Sequence, residues 1–180
     1  MNADKVKELS LSRILAHQEV QARVAMNEET IEEYAEAMRN GDKFPPVVVF
    51  CDDGRSSYWL ADGFHRYHAA KQIANKWSLP AEIREGGKRE AILLAVGANA
   101  SHGLRRRNID KRNSVLKMLK DEEWSQYSDR EIARQCRVSQ PLVSRLRADL
   151  TDNIISDNQV RTYRTKHGNL SAMNLSLIHI

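Results

Sequence analysis

The chain has 180 residues, of which 41% are hydrophobic and 29% charged, with a formal net charge of +4. That length suits one domain of ordinary size or two small ones, and that composition supports a folded core and excludes wholesale disorder. No apolar run approaches the roughly 20 residues of a membrane span. The charged and polar opening from Met1 to Ser10 does not read as a secretory signal. Cys51 and Cys136 are far apart and form no CxxC pair, so neither a zinc site nor a disulfide framework is expected.

The distribution of charge says more than its total. Residues 1–100 hold 13 Lys and Arg against 15 Asp and Glu, a net of −2. Residues 101–149 hold 12 against 7, a net of +5, and residues 150–180 hold 3 against 2. The positive charge therefore sits in one block after residue 100. A localised basic block favours a polyanionic partner, because neutralised phosphates release counterions.

In chain order, Leu9, Leu11, Ile14 and Leu15 predict a first strand entering a short turn. Asn27 is a helix N-cap candidate, with Glu28 and Glu29 in the first turn and Ile31, Tyr34, Ala35 and Met38 at helical spacing. Asn40-Gly41 closes that helix. Val47 to Phe50 is a β-branched run that reads as a buried strand, Asp52-Asp53-Gly54 as a turn, and Tyr58 to Leu60 as the returning strand. Ala61 to Ala70 closes a strand and opens a helix to about Lys76. A strand over Leu79–Ile83 and a helix over Glu90–Ala98 follow. Asn108 or Asp110 starts a further helix carrying Val115, Leu116 and Leu119, and two more helices reach about Leu150. The polar tail shows no clear period.

The step Asp62-Gly63-Phe64-His65-Arg66-Tyr67 joins a strand to a helix. Glycine there lets the backbone approach a ligand, and a helix start offers free N–H groups and a positive dipole end. Arg66 can fork onto phosphate oxygens, His65 can move a proton, and Asp62 can hold a metal or act as a base. On physics alone, an ordinary turn glycine among solvated polar residues is the better reading.

The segment Gly63-Phe64-His65-Arg66-Tyr67-His68-Ala69-Ala70 resembles the G-x-x-R-x-x-A box of the ParB/sulfiredoxin superfamily, and Gly63, His65 and Arg66 match its G-x-H-R form. Leu11-x-x-Ile14 with Gln21-x-Arg23 is similar to that family's opening strand and Q-x-R step. Asn99 to Arg112 resembles its third box, in which Asn99 takes the place of an Asn near the nucleotide. The resemblance covers roughly residues 9–149. It implies an α+β fold with a small mixed sheet over residues 9–100, followed by an all-helical unit over 101–150 and a tail over 151–180. It also implies a nucleoside triphosphate, CTP or ATP, with Mg²⁺, bound by Gly63, Phe64, His65, Arg66, Tyr67 and Asn99. Phe64 stands where sulfiredoxins carry their reactive cysteine, so sulfiredoxin chemistry is not expected.

Residues 129–147 read as a helix-turn-helix. Ser128 and Glu131 form a capping box, Ile132 and Ala133 face inward, and the turn spans about Cys136 to Ser139. Ser139 caps the second helix and Pro141 sits in its first turn. Val143 and Leu146 face the core, leaving Gln140, Pro141, Ser144, Arg145 and Arg147 outward as base and phosphate contacts. Arg137 stands where such turns usually carry glycine, which predicts a slightly altered turn. Arg105, Arg106 and Arg107 are a solvated face, phosphate contacts or a coupling between the two units.

The leading expectation is therefore a cytoplasmic, prokaryotic, double-stranded-DNA-binding protein, a transcriptional regulator or partition-like protein able to form a homodimer. The competing expectations are a nuclease or phosphotransferase using Asp62, His65 and Arg66, and an adaptor with an empty pocket. The tail is expected to be a flexible or incomplete end, and its apolar finish, Leu175 to Ile180, resembles translated adapter sequence.

Overall fold

The structure is a computed structural model. It describes residues 6–51, 57–98 and 106–152, with side chains through 151, and the strand backbones at 160–164 and 170–174. The chain divides into two units, Met1–Ala98 and Asn99–Ile180.

The first unit is α+β. Its strands are β1 (Val6–Ser10), β2 (Ile14–Leu15), β3 (Val47–Cys51), β4 (Tyr58–Asp62) and β5 (Ser78–Glu85), and its helices are α1 (Glu28–Arg39), α2 (Phe64–Lys71) and α3 (Lys88–Gly97). The sheet order is β1-β5-β3-β4-β2. It is mixed: β1 runs antiparallel to β5 with Val6 opposite Glu82, β5 parallel to β3, β3 antiparallel to β4, and β4 parallel to β2.

The local chemistry explains these elements. In β3, Val47 and Val49 alternate onto the buried face, where Leu60, Ala61, Leu79 and Ala81 join them. The Asn27 side chain accepts from the Thr30 N–H at 3.2 Å, which caps α1 as expected. Ala35 of α1 packs with Ala69 of α2, where small residues let the helices approach closely. Ala91 and Ala95 of α3 close the core.

Two boundaries differ from expectation. Helix α2 ends at Lys71 rather than near Lys76, because the Gln72 and Ile73 amides bond back only three residues, to Ala69 and Ala70. Helix α3 starts at Lys88 rather than Glu90, because the Glu90 carboxylate reaches back to the Gly87 N–H at 2.8 Å. The turn expected at Asp52-Asp53-Gly54 lies outside the described residues.

The second unit contains α4 (Asn108–Leu119), α5 (Asp129–Cys136) and α6 (Gln140–Asp152). Val115, Met118, Ile132, Cys136, Val143 and Leu146 are fully or almost fully buried and form its core. Beyond α6, Val160–Arg164 (β6) pairs antiparallel with Leu170–Asn174 (β7). No regular element is expected in this tail from its residue pattern. Val160, Thr162 and Tyr163 nonetheless favour extended backbone, and five-residue strands are too short for periodicity to reveal. Among the described residues, no helix is long and apolar enough to cross a membrane.

Candidate nucleic-acid interface and the turn at Gly63

Gly63 sits between β4 and α2 with φ 95° and ψ 26°, in the left-handed region that a glycine adopts freely. A Cβ there would lie 2.7 Å from Val47 Cγ1 and 3.0 Å from an Arg66 guanidinium nitrogen. The space beside the glycine is thus filled by the chain's own atoms.

Arg66 folds back over that glycine. It donates to the Pro45 carbonyl at 2.5 Å, to the Pro46 carbonyl at 2.9 Å, and to Asp62 Oδ2 at 3.1 Å. Asp62 and Arg66 therefore form a partly buried ion pair, with side chains 26% and 14% exposed. Phe64 is buried in the hydrophobic core.

His65 is buried, and its Nε2 accepts the Asn27 N–H at 3.3 Å. Burial, and then the charge of Arg23 and the neighbouring His68, lower its pKa to about 4. Burial therefore favours the neutral imidazole, whose Nε2 lone pair is taken up by the Asn27 N–H. Tyr67 is corrected in one respect. Its N–H is already committed to the Gly63 carbonyl at 2.9 Å, so only the amides of Phe64, His65 and Arg66 are left by the helix geometry. Asn99 lies outside the described residues.

The residues fit a phosphate through these three amides and the unused N–H groups of Arg66. They offer little to a divalent ion. Asp62 is paired with Arg66, and among the described residues no three His, Cys, Asp or Glu side chains gather as metal ligands.

In the second unit, the expected capping box is formed. Glu131 N–H donates to Ser128 Oγ at 3.2 Å, and Ser128 N–H to Glu131 Oε2 at 3.0 Å. Helix α5 ends on Arg137, at φ 50° and ψ 56°, the one non-glycine residue with positive φ among those described. An arginine here predicts an altered turn. The structure instead keeps the left-handed turn, and Val138 N–H closes it on the Ala133 carbonyl at 2.9 Å. The conformation costs an arginine about 1–2 kcal/mol.

Arg106 offsets that cost. Its guanidinium donates to the Cys136 carbonyl at 2.9 Å and the Arg137 carbonyl at 3.1 Å. Arg106 is only 7% exposed, so the expectation of a phosphate contact is replaced by an internal strut. Beside it, burial pushes the Cys136 thiol up to about 12. Arg107 stays exposed, with Nε 3.7 Å from Asp110 Oδ2. Arg105 lies outside the described residues.

Ser139, Gln140, Pro141, Ser144 and Arg145 are exposed around the first turns of α6, as expected. The Ser144 hydroxyl donates to Asp129 Oδ2 at 2.7 Å. Arg147 departs from expectation. Its guanidinium donates to Asp129 Oδ1 at 2.8 Å and to the Ser125 and Tyr127 carbonyls at 2.7 and 2.9 Å. Helical spacing explains this, since Arg147 lies four residues after the buried Val143 and shares its face. Three further cations escape a reading by sequence alone. Lys111, Arg112 and Arg137 line an open groove with Arg145, about 730 Å³ in volume. Their membership of the basic block is visible in the sequence, but their convergence depends on α4 packing beside the turn.

Residues 1–100, more than half of the chain, match the ParB N-terminal domain. The chain belongs to that family. It is 28% identical over 130 residues to the Streptomyces griseus "Streptomycin biosynthesis operon possible regulatory protein", an alignment covering 72% of this chain and 35% of that protein. The chain thus spans about a third of that relative. It is similar in fold to the C-terminally truncated ParB from Caulobacter crescentus complexed to the centromeric parS site, with TM-score 0.51 and 16% identity over 83% of this chain and 80% of that one. The same Caulobacter protein complexed with CTP-gamma-S gives TM-score 0.47 and 19% identity over 81% and 78%. In this ParB N-terminal family member the family match ends at residue 100, so the α5–turn–α6 surface stands on its own geometry.

Proposed function

We propose that this ParB-like protein binds double-stranded DNA through a helix-turn-helix formed by α5 and α6, acting as a transcriptional regulator or partition-like protein. The observation that carries the reading is the start of α6. There Gln140, Pro141, Ser144 and Arg145 are exposed together, directly after a tight left-handed turn. Short polar side chains and an arginine at a helix start match the donor and acceptor edges of the major groove. Family membership and the regulatory description of the Streptomyces relative support the same reading, as does the parS complex of the Caulobacter protein.

The Gly63 turn is the proposed site of a nucleoside triphosphate. The amides of Phe64, His65 and Arg66 are the groups that would take its phosphates, with Arg66 adding charge. Binding without turnover is the favoured form, because the ring lone pair of His65 is engaged by the Asn27 amide and Asp62 is paired with Arg66. The deciding experiment is a salt-titrated binding assay on duplex fragments, with and without CTP, ATP and GTP. Affinity that falls steeply with salt and depends on Arg145 supports the reading, and affinity indifferent to both removes it.

A further inference from the structure

We propose that Lys111, Arg112 and Arg137 form a clamp on the phosphate backbone of duplex DNA, and that Arg137 occupies its left-handed turn because its cation is needed there. The inference rests on the DNA-binding reading above and adds the surface that grips the backbone beside the recognition helix.

The groove is bounded by three elements, and each supplies a cation. Lys111 and Arg112 come from α4, Arg137 from the turn, and Arg145 from α6. Among the described residues, no carboxylate lines it. Other arginines of this unit are engaged by the protein: Arg147 by Asp129, Arg107 by Asp110, and Arg106 by two carbonyls. Among the described residues, no ion pair takes up Lys111, Arg112, Arg137 or Arg145. Cations that converge without a counter-charge repel one another until a polyanion neutralises them. Two longer helices also begin at this rim, α4 at Asn108 and α6 at Gln140, and their positive dipole ends add to the field.

Arg137 identifies the purpose of the groove. The backbone at this position, φ 50°, favours glycine, which would close the same turn without strain. The chain instead holds an exposed arginine there, and secures its carbonyl with Arg106. Backbone strain of this kind persists only where its surroundings fix it, as Arg106 does here, and it clusters at functional sites. A cation carried on the turn next to the recognition helix sits where a DNA backbone passes when that helix enters the major groove. The open form of the groove and the spread of its cations over three elements suit a continuous backbone better than a single small anion.

The test uses the full 180-residue chain, a 30-base-pair duplex of random sequence, and anisotropy titrations between 50 and 200 mM KCl, with a thermal melt of each variant. Arg137→Gly is expected to weaken binding about 3- to 10-fold and to lower the slope of log affinity against log salt by about one. Its Tm is expected to equal or exceed that of the parent. Arg137→Lys is expected to retain the slope. The triple change Lys111→Ala, Arg112→Ala, Arg137→Gly is expected to lower the slope by about three. Parental affinity and slope in Arg137→Gly overturn the clamp, and so does weakened binding that tracks a lower Tm with no change of slope. Displacement of the duplex by sub-millimolar ATP, dependent on Arg137, assigns the groove to a small anion and also overturns it. If the parent binds no duplex at 50 mM salt, the DNA-binding reading itself fails and takes the clamp with it.

Discussion

Arg106 donates to the carbonyl of Arg137 at 3.1 Å, so one buried arginine holds the backbone of another in its strained turn. Removing Arg106 leaves the carbonyls of Cys136 and Arg137 without this donor and opens a cavity. Arg106→Ala is therefore expected to destabilise the helical unit by about 2–4 kcal/mol. The check is chemical denaturation followed by the emission of Trp124, which is buried in that unit. A variant as stable as the parent denies Arg106 its structural role.

Arg145 and Arg147 lie two residues apart on α6 and are expected to behave oppositely. Arg147 is bound to Asp129 and two carbonyls, so Arg147→Ala should cost about 2–3 kcal/mol of stability. Arg145 is exposed, so Arg145→Ala should leave Tm within a degree or two. On the proposed function, the same change weakens duplex binding by about 1–3 kcal/mol. Melts and anisotropy titrations on both variants decide the assignment, and it fails if the two variants exchange behaviours.

The buried neutral His65 gives the first unit an acid-sensitive stability. Its pKa is about 4 in the fold, against 6.5 for an ordinary histidine. Between those values the unfolded chain binds more protons, so stability is fully present above pH 6.5 and falls as pH drops toward 4. His68, also lowered by burial, adds in the same direction. The loss by pH 4 is at most about 3 kcal/mol for His65. Tm measured from pH 7 to pH 4.5 should fall, and in His65→Gln the fall should be shallower. An unchanged pH dependence in that variant assigns the acid sensitivity elsewhere.

Calorimetric titration with CTP, ATP and GTP tests the Gly63 turn. Binding in the micromolar to millimolar range is expected, with loss in Arg66→Ala. That variant also breaks the pair with Asp62, so its fold is monitored by far-UV circular dichroism and by duplex affinity. If no nucleotide binds the parent at millimolar concentration, the turn is a structural joint only.

The parts of this molecule that can be read from its residues are those set by neighbours in sequence. Asn27 capping α1, the Ser128–Glu131 box and the valines of β3 each follow from local rules. Arg147, Arg106 and His65 cannot be placed that way. Their burial depends on partners 18 to 38 residues distant: Asp129, Cys136 and the Asn27 amide. An arginine run looks identical whether solvent or carbonyls await it. The grouping of Lys111 and Arg112 with Arg137 is likewise a product of helix packing, and no spacing rule within one helix announces it.

The pairing of β1 with β5 has a consequence for how this protein is made. Val6 must wait for Glu82 before its strand has a neighbour, and β3 gains its second partner only when β5 is present. The early strands therefore leave the ribosome with open edges, and the sheet closes late, across long loops. In α4, α5 and α6 each helix meets partners that are close in sequence. Synthesis thus delivers the edge-exposed sheet before the helical unit, whose contacts are closer in sequence.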